Sequence, residues 1–140
     1  MINSTKFVNR VIAEITPGQN SMAMISITEP FTAFGIAKLK DGWHSVLRLE
    51  FHDIEIPVFD APYVMMTMED AHAIIDFVHQ VSPNVESIVV HCRAGISRSA
   101  AVSKWIAETY QLPFDHDYQH YNKHVYQLLS EVGKQFIDSV

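Results

Sequence analysis

Nine consecutive residues, His91-Cys92-Arg93-Ala94-Gly95-Ile96-Ser97-Arg98-Ser99, hold the chain's only cysteine and, five intervening residues later, an arginine. A thiol at one end of a short loop and a guanidinium at the other suit the capture of a phosphate beside a nucleophile. Successive backbone N–H groups from Arg93 to Arg98 can curl into a nest, and a following helix adds the positive end of its dipole. Gly95 allows a positive φ and a close backbone approach. Arg98 can grip two phosphate oxygens with its planar fork, as lysine cannot. The same positive surroundings favour the thiolate of Cys92, the form that attacks.

His91 is placed to order the loop through its ring nitrogens. Ser99, or Ser97, can give a hydroxyl proton to the sulfur when it departs. The plain alternative is an inert buried cysteine, since free cysteine packs as a small hydrophobe. That alternative has to accommodate histidine before, glycine three after, arginine six after and serine seven after. At average residue usage the coincidence is on the order of one in 10⁵ per cysteine.

The flanking sequence supplies the elements such a loop needs. Ser87–His91 reads as a short buried strand and Arg98–Tyr110 as a helix with Ala101, Val102, Trp105 and Ile106 inward, stopped before Pro113. Upstream, Met22–Thr28 and Ser45–Phe51 read as strands, and Thr5–Ile15 is ambiguous between strand and helix. Thr67-Met68-Glu69-Asp70 has the form of a capping box. Ala71, Ile74, Ile75 and Val78 follow at the spacing of a buried helical stripe. A last helix is predicted from about Asp117 to Ile137, with Tyr121, Val125, Leu128, Leu129, Val132 and Phe136 inward. Strands alternating with helices predict an α/β protein whose central, mostly parallel sheet of four to five strands is flanked by helices. In such sheets ligands bind at the carboxyl ends of strands, where Cys92 falls.

The 140 residues, 48% hydrophobic and 19% charged, predict one folded domain over 1–140. A net charge of −6 without a basic run argues against nucleic-acid binding. No apolar stretch approaches the roughly 18–20 residues of a membrane span. The first residues lack the pattern of a signal peptide. A lone cysteine used as a nucleophile must stay reduced, so a cytoplasmic location is expected; a monomer is expected as well.

The HCRAGISRS segment resembles the HCx5RS/T signature of cysteine-dependent protein tyrosine phosphatases, most closely the compact dual-specificity type. The resemblance is strong over about 87–112, looser over 45–86 and 117–132, and weak at the N-terminus. It implies a phosphomonoester hydrolase that works through a phosphocysteine intermediate, with no cofactor and no metal. Cys92 would attack phosphorus while Arg98 and the loop of Arg93, Ala94, Gly95, Ile96 and Ser97 hold the transferring group. The implied substrate is phosphotyrosine in proteins, with phosphoserine or phosphothreonine in reach. Alternatives are a non-protein phosphate, such as an inositol phosphate or a nucleotide, and a catalytically weak phosphate-binding module. Low-molecular-weight tyrosine phosphatases carry their loop near the N-terminus, thioredoxin-coupled arsenate reductases need further cysteines, and rhodanese-type sulfurtransferases usually have a shorter loop. Phosphoinositide phosphatases more often have extra lysines in the loop, where this chain has only Arg93.

Expulsion of an alkoxide or phenoxide needs a proton, and a positioned acid typically contributes about 10²–10⁴-fold. Asp53 directly follows a strand end, and Asp60 lies at the distance before the cysteine that the resemblance leads one to expect. Loops change length more readily than strand ends move, so Asp53 is favoured and Asp60 is the alternative.

Weaker signals remain. His116, His120 and His124, spaced i, i+4, i+8, would share one face of the last helix, but no carboxylate at that spacing completes a metal site. Asn122 is read as a loop brace. Trp43, His44 and Arg48 are candidates for the pocket rim. Tyr110, Tyr118, Tyr121 and Tyr126 are read as packing and surface tyrosines.

Overall fold

The computed structural model describes residues 1–138. Four strands, β1 (Ser4–Asn9), β2 (Met22–Thr28), β3 (Val46–Glu50) and β4 (Ser87–Cys92), form one sheet in the order β1-β4-β2-β3. Every pairing is parallel. The helices are α1 (Arg10–Ile15), α2 (Met68–Val81), α3 (Arg98–Tyr110) and α4 (Lys123–Asp138). The expected α/β architecture is therefore present, with four strands. The ambiguous stretch 5–15 holds both elements, a strand that turns directly into a short helix at Asn9, whose side chain accepts from Ile12 N.

Side chains of a strand alternate between its faces, and both faces of this sheet are covered. Ala23, Ile25 and Ile27 of β2 and Ile88, Val90 and Cys92 of β4 join the larger core with α2, α3 and α4. Met24 and Val89 point the other way, into a smaller cluster with Ala13 and the half-buried Trp43. Strand β4, central in the sheet, is buried along all six residues. Its carboxyl end is thus fixed from two faces and two edges, with Asn9 beside Cys92 and Ser26 beside His91 in register.

Helix α2 opens on the expected capping box. Thr67 Oγ accepts from Asp70 N, and Asp70 Oδ2 accepts from Thr67 N. Ala71, Ile74, Ile75 and Val78 are buried, as their spacing requires. Helix α3 ends with Gln111 in the left-handed conformation and Leu112 N donating to Ala107 O, just ahead of Pro113.

The last helix corrects the sequence reading. It starts at Lys123, six residues later than expected, and Asn122 Oδ1 caps it by accepting from Val125 N at 2.9 Å. Tyr121 packs on the core from outside the helix. His116 and His120 also precede the helix, so the three histidines share no helical face. His124 is engaged with the Met66 carbonyl, and no cluster able to hold a metal occurs among the described residues. The periodic apolar pattern continued through 117–122, but an asparagine that can cap competes locally with continuation of the helix.

Candidate active site

Cys92 ends β4 and is 2% exposed. Its Sγ lies 3.1 Å from Ser99 Oγ, in the first turn of α3. Of the two serines proposed to serve the sulfur, Ser99 is therefore the neighbour. The Ser97 hydroxyl is directed to Asp53 Oδ1, at 2.8 Å. Ser97 is the N-cap residue of α3, yet its side chain makes no capping hydrogen bond. The Ser97 side chain thus takes none of the N–H groups of the first helical turn, groups that at helix N-termini can bind phosphate.

The loop backbone is held from outside. Gly95 has φ +68°, and a Cβ there would lie 2.4 Å from Asn9 N. Glycine is required both by the conformation and by the β1–α1 junction behind it. Arg10 N donates to the Arg93 carbonyl at 3.2 Å, and Asn122 N donates to the Ser97 carbonyl at 3.0 Å. A trans peptide points its C=O and the next N–H in opposite directions, so outward carbonyls leave inward amides.

Arg98 is 4% exposed. One nitrogen, Nη1, donates to the Phe51 carbonyl at 2.7 Å and to Glu29 Oε2 at 3.2 Å. Its buried Nε has no partner among the described residues. The Nε–Nη2 edge is the one that grips an oxyanion bidentately, and anchoring Nη1 orients that edge. Glu29 also lies 3.9 Å from Arg93, which is largely exposed and sits over the Phe34 ring at 5.8 Å. Beside this pair opens a cavity of about 490 Å³ lined by Arg10, Glu29, Phe34, Lys38 and Arg93.

His91 is fully buried with Nε2 2.6 Å from Ser26 Oγ and Nδ1 3.5 Å from the Cys92 carbonyl. A carbonyl only accepts, so Nδ1 carries the proton and Nε2 accepts from the Ser26 hydroxyl. Burial drives the His91 pKa down to about 4, against a smaller opposing effect of the Cys92 carbonyl. The ring is a neutral structural pin under the cysteine.

The two candidate acids differ in their surroundings within one loop. His52 clasps its far end, with His52 N donating to the Val64 carbonyl at 2.7 Å and Val64 N donating to His52 Nδ1 at 2.9 Å. Asp53 stands at this closed base, where Oδ1 accepts from Ser97 Oγ and from Asn122 Nδ2, both at 2.8 Å. Asp60 is exposed farther along, with no hydrogen bond or ion pair among the described residues. Asn122 also donates to the Ile54 carbonyl at 3.2 Å, so the expected brace exists and reaches the loop after β3.

Trp43 and Arg48, considered for the rim, serve the scaffold instead. Trp43 packs in the smaller cluster, and Arg48 donates to the Ala37 carbonyl. His44 pairs with neighbouring Ser45. The sequence reading missed Glu29 and Ser26. Glu29-Pro30 registered only as a strand stop, although a carboxylate at the carboxyl end of β2 stands where sheet proteins of this class place their ligands.

Residues 19–133 match the family model described as dual specificity phosphatase, catalytic domain. No curated protein sequence matches the chain significantly. Among solved structures, human tyrosine phosphatase-like serine/threonine/tyrosine-interacting protein is similar with a TM-score of 0.61 and 17% identity, over 96% of this chain and 93% of its own. Human DUSP28 is similar at 0.55 and 12% identity, over 97% and 95%. PTPMT1, solved in complex with PI(5)P, is similar at 0.53 and 17%, over 86% and 81%. These likenesses carry the fold, and the family model carries the assignment: the chain belongs to the dual specificity phosphatases, as a catalytic domain of that cysteine-based family.

Proposed function

We propose that the protein hydrolyses phosphomonoesters through a phosphocysteine intermediate, with phosphotyrosine in proteins as the substrate. The observation that carries this reading is the joint placement of Cys92 Sγ, Ser99 Oγ 3.1 Å away, and an Arg98 whose Nη1 is tied while its buried Nε is free to bind. The Cys92 thiolate attacks phosphorus and forms the P–S bond as the ester P–O bond breaks. Asp53 gives its proton to the departing oxygen. Water, deprotonated by the Asp53 carboxylate, then attacks phosphorus, the P–S bond breaks, and Ser99 donates a hydrogen bond to the released thiolate. Arg98 and the loop amides balance charge on the three equatorial oxygens throughout.

An aryl ester is favoured over a bulky polar headgroup by the rim. Ile96, in the loop itself, is 51% exposed and Phe34 is 70% exposed, while Arg93 is the only basic side chain between Cys92 and Arg98. Apolar walls of this kind suit a phenyl ring. The cavity beside Arg93 and Phe34 would take the remainder of a peptide substrate.

The experiment is a panel of phosphotyrosine and phosphoserine peptides, inositol phosphates and nucleotides, run with wild type and Cys92→Ser, with and without a metal chelator. The expected result is chelator-insensitive hydrolysis, fastest on phosphotyrosine and lost in Cys92→Ser. Chelator-sensitive turnover, or activity surviving in Cys92→Ser, would overturn the mechanism. Preference for an inositol phosphate or a nucleotide would overturn the substrate.

A further inference from the structure

The residues between α3 and α4 do not form the helix expected from Asp117; they lie against the phosphate loop. Tyr118 OH donates to the Ile96 carbonyl at 2.5 Å. Four residues on, Asn122 N donates to the next carbonyl of the loop, that of Ser97. The Tyr118 ring is seated by Phe7 of β1, with centroids 5.2 Å apart, and edge-on to His120 at 5.5 Å. The hydroxyl is thus delivered to Ile96 from a fixed platform.

We infer that Tyr118 is a positioning residue for the oxyanion cradle, holding the Ile96–Ser97 peptide so that the Ser97 N–H faces the bound phosphate. No peptide bond among the described residues is cis. With the Ile96 carbonyl turned to Tyr118, the Ser97 N–H of the same peptide must point the opposite way. Gly95 just before it is a joint about which an untethered peptide would swing. The side chain of Ile96 is exposed and gives little anchorage of its own. The phenol therefore does at Ile96 what Arg10 N does at Arg93. It touches no reacting atom. Its hydroxyl proton is retained for donation, since burial, and next the nearby Cys92, raise its pKa.

This inference rests on the loop being a phosphate cradle, and it is separable from turnover. Tyr118→Phe keeps the ring on Phe7 and removes only the donor. Inorganic phosphate is titrated into Cys92→Ser and into Cys92→Ser/Tyr118→Phe by calorimetry, and the Ser97 amide resonance is followed by NMR. The expected result is about five- to tenfold weaker phosphate binding in the double variant, in line with one lost hydrogen bond. A smaller phosphate-induced shift of the Ser97 amide should accompany it. In the single variant, kcat/KM for an aryl phosphate should fall by a similar factor. Unchanged phosphate affinity with an unchanged Ser97 shift overturns the inference, even if the melting temperature drops. Weaker phosphate binding in a protein that hydrolyses no phosphomonoester would uphold Tyr118 and defeat the hydrolase reading instead.

Discussion

Asn122 and Asp53, 69 positions apart, share a 2.8 Å hydrogen bond from the amide Nδ2 to Oδ1. The same asparagine caps α4 through its own Oδ1 and binds the phosphate loop through its backbone N–H. One buried residue thus ties the loop of Asp53, the Ser97 carbonyl and the last helix to each other. Oδ1 of Asp53 is occupied by two donors, and Oδ2 has no hydrogen-bond partner among the described residues.

That division makes Asp53→Asn an informative change. An asparagine oxygen still accepts from Ser97 and Asn122, so the loop should hold and the melting temperature should move little. The proton donor is gone, and kcat toward an alkyl phosphate should fall by about 10²-fold or more. Asp60→Asn should leave both unchanged. Equal kcat for Asp53→Asn and wild type would remove Asp53 from the mechanism.

Glu29 supplies the counter-charge to Arg98, whose side chain is 5% exposed. Glu29→Gln keeps a hydrogen-bond acceptor and deletes the charge, leaving a buried cation less well compensated. The ligand-free protein should melt about 3 °C lower, corresponding to roughly 1 kcal/mol. A phosphate dianion replaces the missing charge, so the upward shift of the melting temperature on adding phosphate should be larger than in wild type. A smaller shift would mean that Glu29 contributes to anion binding and does not compete with it.

Gly95→Ala combines a conformation that L side chains rarely adopt with a backbone collision at Asn9. The expected cost is at least about 2 kcal/mol of stability, with activity lost because the loop cannot close on β1. Denaturant unfolding gives the first quantity and aryl phosphate turnover the second. Retention of near-wild-type stability would show that the β1–α1 junction yields.

His91 links stability to acidity. Its ring is neutral in the fold, with a pKa of about 4, against 6.5 when unfolded. Between these values the unfolded chain binds the extra proton, so stability increases with pH there. The contribution is complete above about pH 6.5 and is lost as pH falls toward 4, a total of about 3 kcal/mol. Urea midpoints measured from pH 7 to pH 4 should fall more steeply for wild type than for His91→Asn. Parallel profiles would mean that the buried ring does not titrate in this way.

The sequence by itself determined the candidate loop and the elements that carry it. Cys92, Gly95 and Arg98 are within a few residues of each other, and a strand feeding a helix fixes their relation through local geometry alone. Strand β2, the bounds of α3 and the capping box of α2 were legible for the same reason, since each is written in periodicity and end signals of contiguous residues. Tertiary structure alone decided the partners that approach from far along the chain. Glu29 meets Arg98 across 69 positions, and Ser26 meets His91 across 65. Asp53, and not Asp60, is joined to Ser97 and Asn122, across 44 and 69 positions that no spacing rule links. The segment 117–122 misled the reading because its apolar spacing is helical, while hydrogen bonds to Ile96, Ser97 and Asp53 hold it open. Local pattern sets what a segment can form, and contacts with distant groups choose among those forms.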